Sequence, residues 1–359
     1  METVEEYKNV RIINNEPEFC ACDSTCVSAD FFILCEENKQ LFGKDIFDLE
    51  VCGMSLLNWV VRACGKQPKI LKVEADADPV SVVRPYIDDG VEYSVVFYAD
   101  TPLLNKTHVS DLLGFIDRKR MNVCKFKRGL VFRNEYIKEN DEIYSIDEYD
   151  FASNDFFVVS SYEDFAFAKK HLTNKVVDYH KRNGVFFEND SNLSIDANTE
   201  IGYYSKISNG VSIIDGSKIG ESSVIFKNAT VSGSAIGNGS VIGEGTIIKN
   251  SIIKENAHIG DGAIIINSVI GKNISIETGA KVVSSSLRDG VVVKNFAVID
   301  DGRIGENCVI QKHSKILGLT EKTVIGAGSD IGACSLVCDS VLSADSVVDN
   351  NSEIKGKVK

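Results

Sequence analysis

The chain has 359 residues, 43% of them hydrophobic and 25% charged, enough for two hydrophobic cores in an ordinary globular protein. A formal net charge of −13 argues against non-specific binding to nucleic acid, while leaving room for a local basic pocket that holds a phosphate. No apolar run is long enough to span a bilayer, and the opening METVEEYKNV is acidic with no apolar secretory core; the expected location is the cytoplasm, where the ten cysteines stay reduced.

Four cysteines come first: Cys20, Cys22, Cys26 and Cys35. A zinc site prefers paired C-x2-C spacing, whereas these read C-x-C-x3-C, so the spacing favours free thiols in or near a core over a metal site. Residues 29–36 (ADFFILCE) predict a buried strand, 54–65 an amphipathic helix closed by Gly65, and 69–73 a second strand. A short helix is expected over 78–90, a third strand ending in the carboxylate of Asp100 over 92–100, and a helix with Thr107 as N-cap over 107–120. Strands alternating with helices imply a parallel sheet with helices on both faces. The segment 161–184 predicts a long amphipathic helix ending at Gly184, the natural hinge between the two halves of the chain.

Beyond Gly184 a different period takes over. Branched residues recur every six positions at Ile195, Ile201, Ile207, Ile213, Ile219 and Ile225, then Val231. The step shortens to five at Val231–Ile236, Ile248–Ile253, Ile265–Ile270, Val282–Leu287 and Ile299–Ile304. A helix needs a period of 3.6 and a half-buried strand a period of two. Steps of six, six and five describe short strands turning the corners of a triangular prism, a parallel β-helix of hexapeptide type with roughly nine coils between Ser194 and Lys355. Glycines that come directly after the inward residue, as at 201–202, 219–220 and 304–305, are expected to tolerate close backbone approach and positive φ.

The segment YADTPLL (98–104) resembles the Y-G-D-x-P-L segment of sugar-1-phosphate nucleotidyltransferases. The join at 175–202 and the last coils at 323–358 are similar to those of bacterial bifunctional N-acetylglucosamine-1-phosphate uridylyltransferase/glucosamine-1-phosphate acetyltransferase. The resemblance implies a truncated, Rossmann-like α/β nucleotidyltransferase domain over 1–160, a linker helix and join over 161–190, and a left-handed β-helix over 191–359. It also implies a trimer, a role in UDP-N-acetylglucosamine metabolism, and Mg²⁺ and acetyl-CoA as the small partners. By this alignment Asp100 matches the family's first Mg²⁺ ligand.

Several of the family's chemical groups have no counterpart here. The first strand runs into FFILCEENKQLFG with no Gly-rich phosphate loop, and Glu36 and Glu37 stand where phosphate would approach. The family's basic residue from its P-K-V-L segment falls near Ile46, and its uridine segment falls on 73–81 without a match. Lys127 takes the position of the second metal ligand. In the β-helix, Asn295 stands for the general-base histidine and Val298 for the tyrosine of the same motif, and a substrate loop shrinks to 317–323. His313, flanked by Lys312 and Lys315, is the remaining candidate for a base with substrate-binding lysines; the alternative is an exposed corner residue. His258 precedes an inward isoleucine, which points it outward, and takes no role. Three functions stay open: an acyltransferase using acyl-CoA (acetyl-CoA) around His313, a non-catalytic homotrimer that binds a sugar nucleotide or a partner, and a structural or regulatory subunit co-assembled with a bifunctional homologue.

Overall fold

A computed structural model describes residues 28–140, 147–149, 156–190 and 192–356. The chain separates into two compact units, the first reaching Asn174 and the second starting at Lys175.

The first unit is built on a six-stranded sheet: β1 (Ala29–Glu36), β2 (Lys69–Val73), β3 (Tyr93–Tyr98), β4 (Val123–Phe126), β5 (Gly129–Arg133) and β6 (Asp147–Tyr149). Their spatial order is β6-β4-β5-β3-β1-β2. Side chains of β1 alternate between faces. Phe31, Ile33 and Cys35 pack with Val60 and Ala63 of α1 (Leu56–Cys64) and Leu112 and Ile116 of α3 (Lys106–Lys119). Phe32 and Leu34 pack with Val80 and Val83 of α2 (Pro79–Val83) and Ile137 of α4 (Asn134–Glu139). Both faces are covered, as expected, but the sheet is mixed rather than parallel. β1 runs parallel to β2 and β3, whereas β5 is antiparallel to both β3 and β4. The connection explains this: only Lys127 and Arg128 lie between β4 and β5, and a two-residue link joins antiparallel neighbours alone, since a parallel crossover needs about a dozen residues.

Helix ends obey local chemistry. Ser55 caps α1 by accepting the Asn58 N–H at 3.2 Å, and Gly65 closes it at φ 68°. The cap of α3 is Asn105, accepting from His108 N at 3.0 Å, and not Thr107, which lies inside the helix. Burial, and for Cys35 also the charge of Asp48, pushes the Cys35 thiol up to about 11; burial pushes Cys64 up to about 12. Both therefore stay protonated and behave as core residues. Cys20, Cys22 and Cys26 lie outside the described residues.

Helix α5 (Tyr162–Arg182) spans the division between the units. The β-helix then begins at Phe186–Phe187, one strand before the sequence period becomes visible, and continues to Glu353–Lys355. Its strands form three parallel sheets of ten, ten and nine members, against the roughly nine coils expected. Inward isoleucines stack in register: Ile207 on Ile225, Ile225 on Ile242 and Ile242 on Ile259, all fully buried. Where the sequence step drops to five, the stack holds its register by losing one corner residue. Ile195 lies opposite Ile213, but Ile219 lies opposite Ile236.

A second ladder runs beside the aliphatic one, and the isoleucine period does not point to it. Buried serines occupy one corner of successive coils. The Ser251 hydroxyl donates to Lys249 O at 2.7 Å and accepts the Ser268 N–H of the next coil at 3.1 Å. Ser268 does the same with Ile266 O and Ser285 N, and Ser285 with Val283 O and Gly302 N. Each buried hydroxyl thus satisfies two backbone groups that the tight corner would otherwise leave unpaired.

The glycines divide into two kinds that the sequence pattern alone does not separate. Gly243 comes after an inward isoleucine without positive φ, and a Cβ there would lie 2.6 Å from backbone of the next coil. Gly245 sits at φ 65° with nothing within 4 Å, in a corner where other coils place Asn228, Phe296 or His313. Gly243→Ala is expected to destabilise the β-helix by about 1–3 kcal/mol through overpacking. Gly245→Asn is expected to change stability by well under about 1 kcal/mol; equal losses in urea unfolding would contradict this assignment.

His180, in the last turn of α5, is buried, and that burial lowers its pKa from 6.5 to about 4. Above pH 6.5 it is neutral whether folded or unfolded, so stability is complete there. Between pH 6.5 and 4 the unfolded chain takes up the proton first, and stability falls by up to about 3 kcal/mol. Urea midpoints measured across that window should show the loss in the parent and a smaller one in His180→Gln; identical slopes would contradict it.

Candidate functional site

The carboxyl ends of β1 and β3 bring Glu36 and Asp100 together, although they are 64 positions apart in the sequence. In α/β proteins this edge is where ligands are held. Two cations reach the same point. Lys39, from the turn after β1, donates to Asp100 at 2.7 Å and lies 3.5 Å from Glu36. Arg128, from the β4–β5 turn, donates through Nη2 to Glu36 at 2.5 Å and Asp100 at 2.9 Å, and through Nε to Asp100 at 3.3 Å. The guanidinium lies 4.0 Å from the centre of the Tyr98 ring. Burial works against the Arg128 charge, but the hydrogen bonds and charge of Asp100, and then of Glu36, outweigh it and raise its pKa further. Burial is also the main cause that raises the Tyr98 phenol, so it stays protonated.

The donor set suits an internal ion-pair network better than Mg²⁺. A dication reaching Asp100 would have to displace both the ammonium and the guanidinium, and Glu36 is held by the same pair. Among the described residues no three His, Cys, Asp or Glu side chains converge. Nor is Glu36 an open negative charge at this edge, as the sequence suggested, because Arg128 and Lys39 neutralise it. Sequence reasoning missed both cations. Lys39 had a faint signal in its three-residue spacing from Glu36; Arg128 had none.

Next to this network is a cleft of about 580 Å³. Arg84, Lys125, Lys127 and Arg128 line it, together with Tyr98. Asp78 is the one carboxylate among its described lining, and it is engaged as the cap of α2, accepting from Ser81 N at 2.9 Å and Ser81 Oγ at 2.5 Å. Lys125 and Lys127 are exposed and have no acidic partner among the described residues.

In the β-helix, His313, Lys312 and Lys315 are all exposed. His313 occupies a corner at φ 59°, with its ring stacked on Phe296 at 5.4 Å and 12° between planes. No carboxylate among the described residues orients the imidazole, which is what a general base ordinarily requires. The bulge after Leu317 is tied to Asp339, whose carboxylate accepts the backbone N–H groups of Leu319, Thr320 and Glu321 and the Thr320 hydroxyl. The Thr320 backbone bond leads the causes that hold the Asp339 carboxyl down at about 2. His258 faces outward, as its place in the period indicated.

Residues 247–358 match the family model of the GMPPB C-terminal domain. No curated protein matches the sequence. Three solved structures bear a distant likeness. A cytidylyltransferase from Leptospira borgpetersenii is 11% identical with a TM-score of 0.32, over 44% of this chain and 93% of that one. A 4-diphosphocytidyl-2C-methyl-D-erythritol synthase from Anaerococcus prevotii is 9% identical with a TM-score of 0.30, over 41% and 98%. A UDP-N-acetylglucosamine acyltransferase from Francisella novicida is 18% identical with a TM-score of 0.23, over 43% and 63%. The chain thus joins an α/β unit to a hexapeptide-type parallel β-helix, and the later coils of that β-helix match the GMPPB C-terminal domain.

Proposed function

We propose that this chain is a binding or regulatory relative of the amino-sugar nucleotidyltransferases that no longer transfers nucleotides. The observation that supports this most is the state of Asp100. Its carboxylate, at the family's metal position, is shared between Lys39 and Arg128. A metal-dependent transferase uses such a carboxylate to hold Mg²⁺ against the nucleotide's phosphates. Here positive side chains stand in that place, and the Gly-rich loop is absent from the first βα connection. In this reading the chain works in the cytoplasm and the β-helix is the assembly element. Half-buried outward valines on one face of the prism, Val224 beside Val241 and, past His258 and Ser275, Val292 beside Val309, form two apolar pairs suited to a homotrimer or to co-assembly with a bifunctional homologue.

The test is an assay of uridylyl transfer with UTP, N-acetylglucosamine-1-phosphate and Mg²⁺, alongside thermal melting and light scattering of the same sample. No turnover is expected, and Mg²⁺ is expected to leave the melting temperature unchanged. Asp100→Ala should lower stability by about 1–3 kcal/mol, because it removes one acceptor of two partly buried cations and leaves Glu36 to hold both. Turnover that requires Mg²⁺ and disappears in Asp100→Asn would overturn the proposal, and a monomer by light scattering would remove the assembly role. The alternative, acyl transfer from acetyl-CoA at His313, has in its favour an exposed imidazole beside two exposed lysines. Thiol release from acetyl-CoA that His313→Ala abolishes would establish it instead.

A further inference from the structure

We infer that the cleft beside Tyr98 binds a phosphorylated small molecule without a metal ion, through Lys125, Lys127 and the unused edge of the Arg128 guanidinium. The inference rests on the proposed loss of metal chemistry at this site, and adds what took its place.

Arg128 is fixed before any ligand arrives. Glu36 and Asp100 hold its Nε and Nη2, and the Tyr98 ring packs against the plane of the guanidinium. Nη1 has no hydrogen-bond partner among the described residues, and Arg128 lines the cleft. A guanidinium clamped along one edge keeps its donors oriented, so little freedom is lost when a phosphate oxygen accepts from the other edge. Glu36 and Asp100 are then positioning residues for Arg128 rather than metal ligands.

The lysines supply the charge. Lys125 lies in β4 one residue before Phe126, and Lys127 opens the turn that carries Arg128, so three cations arise within four residues at one lip of the cleft. Arg84 lines the cleft from beyond α2, with its Nη2 on the Asn140 carbonyl at 3.1 Å. Two lysines without a carboxylate partner at one lip stand out on a chain whose net charge is −13. Elsewhere the lysines of this protein commonly have carboxylate partners, as in Lys218–Glu200, Lys272–Glu255 and Lys294–Glu277.

Size and lining narrow the class. A volume of about 580 Å³ is that of a small-molecule site, far more than a lone phosphate fills. The half-buried ring of Tyr98 gives the remainder apolar surface for a carrier group. The fit is to a phosphate or diphosphate ester of a small molecule.

The experiment is calorimetric titration of the full chain in EDTA with two probes, inorganic pyrophosphate and UDP-N-acetylglucosamine, at low and raised salt. Binding of at least one probe is expected, weakening as salt rises. The double variant Lys125→Glu/Lys127→Glu should bind roughly ten-fold more weakly or worse. Its melting temperature should be unchanged, and Lys227→Glu, in the other unit, should bind like the parent. Arg128→Ala is avoided, since it would strand Glu36 and Asp100 and unsettle the fold. Binding that is indifferent to the double variant would overturn this inference and leave the non-catalytic reading standing. So would no binding of either probe. Binding that appears only with Mg²⁺ and vanishes in Asp100→Asn would overturn both.

Discussion

An isoleucine that points into a prism one coil thick can be shielded only by the coil above and the coil below. Everything in the C-terminal unit derives from that. The inward side chain must recur at the same angular place in each coil, so the sequence is held to steps of six, six and five or six. The backbone must turn sharply between strands, and the corners need left-handed residues at fixed places. Those corners also bury N–H and C=O groups, and a small hydroxyl fits there and pairs with both. The aliphatic stack, the serine ladder and the asparagine-rich corners are three answers to a single packing demand.

This is also why the β-helix was readable from sequence and the α/β unit less so. A period fixed by stacking is repeated in every coil, so Ile195 and Val348 report the same constraint and errors at one coil are corrected by the next. The serine ladder was equally periodic, but serine is common at turns for other reasons, and its period drew no notice beside that of isoleucine. In the first unit the strands and helices were legible from their own composition. The direction of β5 was not, because it depends on how few residues, Lys127 and Arg128, separate two strands whose limits the pattern left unmarked. The network at the strand ends was further out of reach. Glu36, Lys39, Asp100 and Arg128 meet only after three strands have been ordered side by side, and no local pattern says that Arg128 will face two acids.

That network changes what the strand edge can do. A pair of carboxylates alone would repel phosphates and attract dications. With Lys39 and Arg128 between them the carboxylates become internal anchors, and the charge presented outward is that of the neighbouring lysines. The same Asp100 that makes the chain resemble an enzyme family thus serves, in this setting, to steady an arginine. Residue identity at a motif position is a weak guide to role when the counter-charges around it have been replaced.

The serine ladder has a direction. Each hydroxyl gives its proton to a carbonyl within its own coil and offers its lone pair to the amide of the next coil. Removing the Ser251 oxygen leaves the amide of Ser251 satisfied by Ser234, but orphans the amide of Ser268 seventeen residues onward. Damage at one corner is therefore inherited by the next coil toward the C-terminus and not by the one before. The prism is symmetric in shape but polar in its wiring, and a fault in it propagates one way.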